Sequence, residues 1–402
     1  MFQGKIQTLC IIILLIFTSC SQNNNYGKLI KEDKFTLPIG NMDNELDFFA
    51  REDVPFSLTS DIFMSKGIFL ISNGNGKKIM KFNSYGDLLE KISPDKNSDI
   101  SNPDFTQWSF NKPGNISSTE NYIYITDTLD YESALTDQYI DKSYDTSKDK
   151  SNKEKHILNE QIVTVFDIDG KYINYIGQEG LGGTPFPYIK NIYSDINNRL
   201  IVVTQTTYFW IIFRYTEEGT LIGKSIIEIE YLPQLENEEN TTTQINNIIP
   251  DRNKNRLLID LTFYKKIYDE KTDDIISIDT IKSRIYYFDL NEGKYISWMD
   301  VPEVKKDDEQ LSRYYVLIDV VFGKYIFFKS SSIDGISEYL TITNENGYII
   351  GDYDLNIDNS NIIYSNFYVS NTEGILTALL CTEYAGGITQ WRTDKILNED
   401  MQ

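Results

Sequence analysis

The residues that could do covalent chemistry are few. The chain holds one histidine, His156, inside the charged stretch 128–158 (TLDYESALTDQYIDKSYDTSKDKSNKEKHIL). Ser-His-Asp and Cys-His mechanisms need a base held firmly against a nucleophile. A stretch with dense charge of both signs and no sustained apolar period reads as a surface loop and holds a base poorly. Histidine-based metal sites are excluded by count. Of three cysteines, Cys10 and Cys20 lie at the N-terminus, and Cys381 sits in the apolar run ILTALLCTEY. Cys381 therefore reads as a small buried hydrophobe rather than a reactive thiol.

Carboxylates are plentiful, with 60 Asp and Glu, so calcium remains open as a ligand. No D-x-D-x-D-G loop is present, however. VFDIDG (165–170) carries two carboxylates and recurs elsewhere as a turn, and ENEEN (236–240) reads as a solvated connection. GQEGLGG (177–183) has no lysine and no helix after it, which argues against a phosphate loop. Of the tryptophans Trp108, Trp210, Trp298 and Trp391, the last three fall in strand-like runs and are expected to pack between elements. Trp108, in NPDFTQWSFNKPG (102–114), is the aromatic best placed to be exposed and to touch a ligand. No catalytic residue, metal ligand or cofactor is assigned from these patterns.

The elements that would position such residues are strands. The 28 Tyr and 21 Phe, with abundant Ile and scarce Ala, favour strands over helices. The net charge of −22 excludes nucleic acid, whose binding rests on Lys and Arg neutralising phosphates. It equally disfavours a peripheral grip on anionic lipid.

Turns recur along the chain. KFNSYG (81–86), VFDIDG (165–170), RYTEEG (214–219), YFDLNEG (287–293) and TITNENG (341–347) each join two strand-like runs through a glycine, as hairpin turns do. A second hairpin precedes each, entering strands at GIFLIS (67), NYIYIT (121), NRLIVV (198), NRLLID (255), GKYIFF (323) and GILTALL (374). Two hairpins in succession make four antiparallel strands, which is one propeller blade. The pattern predicts an all-β, six-bladed β-propeller with blades near 59–92, 116–176, 188–228, 243–300, 315–355 and 364–398. Runs such as YFWIIF (208–213) lose alternation because a blade is buried on both faces. The ring is expected to close through residues 46–53 or 55–60.

Two resemblances add to this reading. MFQGKIQTLCIIILLIFTSC (1–20) resembles a bacterial lipoprotein signal with FTSC as its lipobox. The resemblance implies a signal peptide at 1–19, a lipid on Cys20, and a polar tether over 20–44 leading to a propeller over 45–398. The apolar run at 9–17 is too short to span a bilayer. GQEGLGGTPFPYIKNIYSD (177–195) resembles the inter-blade segment of NHL repeats, in which Phe186 and Pro187 would plug the gap between blades. Together these features resemble a family of spirochaete lipoproteins with six-bladed propellers. That resemblance implies a membrane-anchored lipoprotein, facing the periplasm or the cell exterior and favouring the outer membrane. Its propeller is expected to bind a protein, peptide or glycan without catalysis. The competing expectation is a calcium-dependent hydrolase or lyase, lactonase-like, using channel carboxylates. A structural subunit of an envelope complex is a third.

Overall fold

The computed structural model describes residues 28–49, 59–94, 104–129, 160–177, 185–236, 238–269, 272, 274–302, 313–332 and 334–400. Cys10, Cys20, His156 and most of the stretch 128–158 lie outside them. Strand β1 is Lys31–Pro38. Blade one holds β2 (Ser60–Ser65), β3 (Ile68–Asn73), β4 (Lys78–Phe82) and β5 (Leu88–Ser93), with β6 (Asp104–Gln107) added parallel to β5. Blade two is β7 (Pro113–Ser118), β8 (Tyr122–Leu129), β9 (Glu160–Asp167) and β10 (Tyr172–Ile176). Blade three is β11 (Tyr188–Ser194), β12 (Leu200–Gln205), β13 (Phe209–Tyr215) and β14 (Leu221–Glu228). Blade four is β15 (Thr241–Asp251), β16 (Arg256–Tyr268), β17 (Ile275–Asp289) and β18 (Lys294–Asp300). Blade five is β19 (Tyr315–Val321), β20 (Tyr325–Ser331), β21 (Ser337–Asn344) and β22 (Ile349–Asp358). Blade six joins β23 (Tyr364–Val369), β24 (Leu376–Cys381) and β25 (Ala385–Trp391) to β1, and the chain then enters helix α1 (Thr393–Asp400).

The first strand of each blade lines the axis. β23 runs beside β2, β2 beside β7, and β7 beside β11; β15 runs beside β19, and β19 beside β23. The protein is a six-bladed β-propeller of four-stranded antiparallel blades. Each blade must hide both faces, so strands such as LIVVTQ and YIFFKSS are buried nearly throughout. The seams are apolar. Met80 and Phe82 of blade one meet Leu379 and Ile388 of blade six, while Val163 and Val165 of blade two meet Ile192 and Val202 of blade three. Phe186 joins the latter seam, with its ring 5.2 Å from that of Phe213.

Ring closure differs from the expectation. The outermost strand of blade six is β1, upstream of both segments proposed for it and inside the stretch read as tether. Its sequence KEDKFTLP is polar because only one face of an outermost strand is covered. It pairs from Lys31↔Trp391 to Pro38↔Ala385. Residues 39–48 then clamp blade one: Leu46 and Phe48 are buried, the Asp47 N–H donates to Asn73 Oδ1 at 3.0 Å, and Lys91 pairs with Asp43. Leu46 thus serves the seam as core rather than as a strand. Residues 50–58 lie outside the described set.

Gly86 sits in the β4–β5 turn at φ +86°, and a Cβ there would lie 2.7 Å from the Phe35 Cβ of β1. Gly86→Ala forces a left-handed alanine and a clash with the closing strand. The expected loss is about 2 kcal/mol or more, read by urea unfolding. No helix among the described residues is long and apolar enough to cross a membrane.

The candidate functional site in the axial channel

Each axial strand carries Asp or Asn followed by an apolar residue: Asp61-Ile62, Asn115-Ile116, Asn191-Ile192, Asn247-Ile248, Asp319-Val320 and Asn366-Phe367. The reason is the edge. An axial strand has no neighbour on its channel side, so its inward N–H groups need another acceptor. The side chain supplies it by folding back. Oδ1 of Asp61, Asn191, Asn247 and Asp319 accepts the N–H of the next residue at 2.9, 2.8, 2.9 and 2.8 Å. Asp61 Oδ2 also accepts the Ile116 N–H of the next blade at 2.9 Å.

Arg252 crosses the channel. It stands in the β15–β16 turn DRNKNR, where Asp251 Oδ1 accepts the N–H groups of Asn253 and Lys254, and Asp251 Oδ2 accepts from Arg256 Nε at 2.9 Å. With the turn locked, Arg252 reaches inward. Its Nη2 donates to Asp319 Oδ2 at 2.6 Å and to the Val369 carbonyl at 3.0 Å. Its guanidinium lies 5.9 Å from the centre of the Tyr368 ring. At the corresponding place in blade three stands Ile196, which is exposed.

A cavity opens at each end of the channel. The first mouth, of about 780 Å³, surrounds the start of the axial strands and is lined by Asp61, Asn115, Asn366, Lys112, Lys190 and Tyr188 among others. The second, of about 590 Å³, surrounds their ends and includes Phe63, Ser118, Ser194, Arg252, Tyr368 and Asn371. The β8–β9 and β16–β17 connections, where the sequence carries its long insertions, both leave from the first-mouth side.

Burial shifts the channel acids Asp61 and Asp319, and with them Asp260 on β16, the second strand of blade four. Desolvation pushes Asp61 up to about 7, against the N–H groups of Ile116 and Ile62 that favour its charge. It pushes Asp319 up to about 6 even beside Arg252, and Asp260 up to about 7. A carboxyl whose folded value lies above its unfolded value near 4 keeps a proton that the unfolded chain has released. Its contribution is present at low pH and is lost as pH rises through the folded value. The carboxylates held low, Glu32 by Lys34 and Glu345 by Lys254, act with the opposite sign only below about pH 4.5. Calorimetry between pH 5.5 and 8 is therefore expected to give a higher Tm at the acid end, with a smaller slope in Asp61→Asn. A Tm that climbs with pH in this range contradicts the assignment.

The residues singled out from sequence are scattered. Trp108 is not exposed: it is 9% accessible, stacked at 4.0 Å on Tyr172 and edge-on to Phe166 at the seam of blades one and two. After β6 the Trp108 N–H donates to the Ser93 carbonyl at 3.0 Å, and Trp108 and Phe110 join the core cluster of blades one and two. The tryptophan left outside is Trp298, on outermost β18, with Arg284 stacked 3.6 Å from its ring centre. Trp210 and Trp391 are core, and Cys381 is fully buried with its thiol pushed up by desolvation. In VFDIDG, Asp167 Oδ1 accepts the N–H groups of Asp169 and Lys171, so the motif is a hairpin turn. Sequence reasoning missed the Asp/Asn ring and Arg252. The signal for the ring was present: aligning the six blade starts brings the pairs Asp-Ile, Asn-Ile and Asp-Val into one column.

No family model matches the chain, and no curated protein matches it. Among solved structures, the chain is similar to the β-propeller domain of the Trilobed protease from Pyrococcus furiosus, described as having an open velcro topology (11% identity over 84% of this chain and 94% of that one, TM-score 0.39). It is also similar to a gluconolactonase from Xanthomonas campestris (10% identity over 83% and 86%, TM-score 0.36). A third is a protein of unknown function from Bacteroides caccae (11% identity over 78% and 81%, TM-score 0.35). At such values none of them transfers an activity.

Proposed function

We propose that this chain is a lipid-anchored binding module of the cell envelope, without catalysis, holding a protein partner on the first-mouth face of its propeller. The observation that carries this reading is where the exposed aromatics lie. Phe49, Tyr188, Tyr208, Tyr231, Tyr314 and Tyr384 stand on loops and strand starts around the first mouth, whereas the opposite face shows Tyr85 and Tyr348. Exposed tyrosines anchor partners, because each offers a large rigid apolar face and a polar tip.

The chain direction supports the same face. β1 begins at Lys31 opposite Trp391, the end of β25, so the polypeptide enters the propeller from the second-mouth side. Residues 21–30, ten in all, reach at most about 35 Å. A lipid on Cys20 would hold the second mouth toward the bilayer and present the first mouth away from it. The outer membrane remains the favoured location.

The calcium-dependent hydrolase or lyase reading leans on the channel carboxylates, and their surroundings suit a cation poorly. Both Asp61 oxygens already accept N–H groups, and Asp319 faces the Arg252 guanidinium. Ca²⁺, Mg²⁺ and Mn²⁺ are expected to leave the Tm unchanged; a rise with Ca²⁺ moves weight to the enzyme.

Crosslinked pull-down from the native envelope, followed by mass spectrometry, tests the proposal. The wild-type chain should recover one envelope protein that the variant Tyr188→Ser/Tyr208→Ser/Tyr231→Ser loses, and acyl chains should appear on Cys20. Recovery unchanged by the variant, or a glycan or free peptide in place of a protein, refutes the partner assignment. An unmodified mature chain refutes the anchor.

A further inference from the structure

Blade four leaves part of an interior strand uncovered. β17 pairs with β16 from Tyr268↔Ile275 to Arg256↔Asp289, but with β18 only from Arg284↔Asp300 onward. One more bond on the β18 side runs from the Val301 N–H to the Ser283 carbonyl at 3.0 Å, and Pro302 follows. The outer edge of β17 over residues 275–282, IISIDTIK, therefore has no strand beside it among the described residues. Ile275, Ile276 and Ile278 are 50%, 63% and 56% exposed. Natural edges are blunted by charge, proline or cover, yet this stretch carries four isoleucines and two charges. The direction of its backbone follows from the neighbouring strand. The Lys266 N–H donates to the Asn240 carbonyl at 2.9 Å, so Lys266 faces β15. Its neighbours Lys265 and Ile267 face β17, opposite Asp279 and Ser277. Strand alternation then turns the N–H and C=O of Ile278 and Thr280 away from β16, toward the open edge. Residues 277–280 are regular, and bulges flank them at Ile276 and Ile281.

We propose that this edge pairs with the same edge of a second copy of the chain, antiparallel, about a two-fold axis through Ile278. In that register the outward N–H and C=O of Ile278 bond their counterparts reciprocally. Thr280 lies opposite Ile276, and Ile275 opposite Ile281. The ends are complementary in charge, because Asp274 of each copy comes opposite Lys282 of the other. Asp274 is exposed. Lys282 is free to turn toward it, since Asp300, 3.4 Å from Lys282, keeps the Arg284 Nε at 2.9 Å. Moving the axis to Asp279 would set that carboxylate against its own copy. β18 does not obstruct the pairing. The second strand leaves it at Asp274, where its own turn begins, closed by a bond from the Asp269 N–H to the Asp274 carbonyl at 2.8 Å. Residues 303–312 (EVKKDDEQLS), which follow β18 in the chain, are too charged to suit this apolar edge. So short a strand pair is a small interface, and the dimer is expected to be weak and concentration-dependent.

Light scattering and cysteine crosslinking on the full chain in detergent test this. The wild type should pass from monomer to dimer as its concentration rises. Ile278→Lys sets two ammonium groups against each other at the axis and should weaken the dimer by about tenfold or more. Its Tm should not change, because the side chain is exposed. Crosslinking gives a second reading if that variant fails to fold. Under mild oxidation Ile278→Cys should form an intermolecular disulfide, since residue 278 faces itself at about 5.5 Å between Cα atoms. Ile276→Cys should not, because its two copies lie about 14 Å apart along the strands. Cys381 is fully buried and does not compete. The variant Tyr188→Ser/Tyr208→Ser/Tyr231→Ser should dimerise like the wild type, which separates this edge from the envelope partner of the first-mouth face. A monomer at every concentration, equal crosslinking at 276 and 278, or a disulfide from position 278 to a different protein in the native envelope overturns the proposal.

Discussion

Replacing Lys31–Pro38 by a Gly-Ser stretch of equal length opens the ring, and the Tm falls by about 5 °C or more. The strand links the first residues of the propeller to its last blade, and its removal acts on both. Leu37 is buried and Phe35 packs edge-on to Phe69 with centroids 5.4 Å apart, in the seam between blades six and one. Burial of side chains of this size is worth about 1.5–3 kcal/mol each, against a total stability of about 5–15 kcal/mol for a typical protein. The bond between the Thr389 hydroxyl and Asp33 Oδ1 at 2.9 Å and the Arg392–Glu32 pair at 3.4 Å go with it. The exposed edge of β25 then offers unpaired backbone to another chain, so the opened protein should also aggregate on heating. Substituting the segment with no change in melting or solubility would show that blade six does not need β1.

Arg252→Met is expected to be the most damaging single substitution in the channel. It leaves the Asp319 carboxylate buried without its cation, and breaking a buried pair from one side costs about 3–5 kcal/mol. The sign of its pH dependence follows from Asp319, which desolvation already pushes up to about 6. Without Arg252 the carboxyl rises further and takes a proton, so the penalty is largest at high pH, shrinks as pH falls toward 6, and levels off below 6, where the carboxyl is protonated in wild type and variant alike. Arg252→Met with Asp319→Leu removes both charges and should recover part of the loss, as matched apolar replacement of buried pairs does. Chemical denaturation of the single and double variants at pH 8 and pH 5.5 reads this directly. A single variant as stable as the wild type at pH 8 would mean that the pair does not close the channel.

The blades are legible in the sequence because their signals are local. A hairpin turn must reverse the chain within a few residues, and the residue types that allow it mark the place: Gly170 at φ +76° and Asn198 at φ +57° are where the sequence puts them. Runs buried on both faces, such as GIFLIS, announce strands by composition alone. What escapes depends on partners far along the chain. β1 reads as a tether because KEDKFTLP alternates charge with few apolar residues, and nothing near it in sequence reveals that its partner is residues 385–391. β6 and the inward turn of Trp108 depend in the same way on where the connector after blade one comes to rest. α1 falls inside the span 364–398 read as the sixth blade, because Ile396 and Leu397 offer the apolar spacing of either element before their place against the blade six core is known. The channel shows a third case. Its Asp and Asn residues sit in ordinary strand runs, and only their common position at an unpaired edge gives them meaning.

The most direct test of the binding role is which face touches the partner. A photo-crosslinking amino acid placed singly at Tyr208, Tyr231, Tyr85 and Tyr348 in the anchored protein, irradiated in the native envelope, reports it. Adducts to one envelope protein from positions 208 and 231, and none from 85 and 348, are predicted. The same protein captured from positions 85 and 348 alone would place the partner on the membrane side and contradict the account.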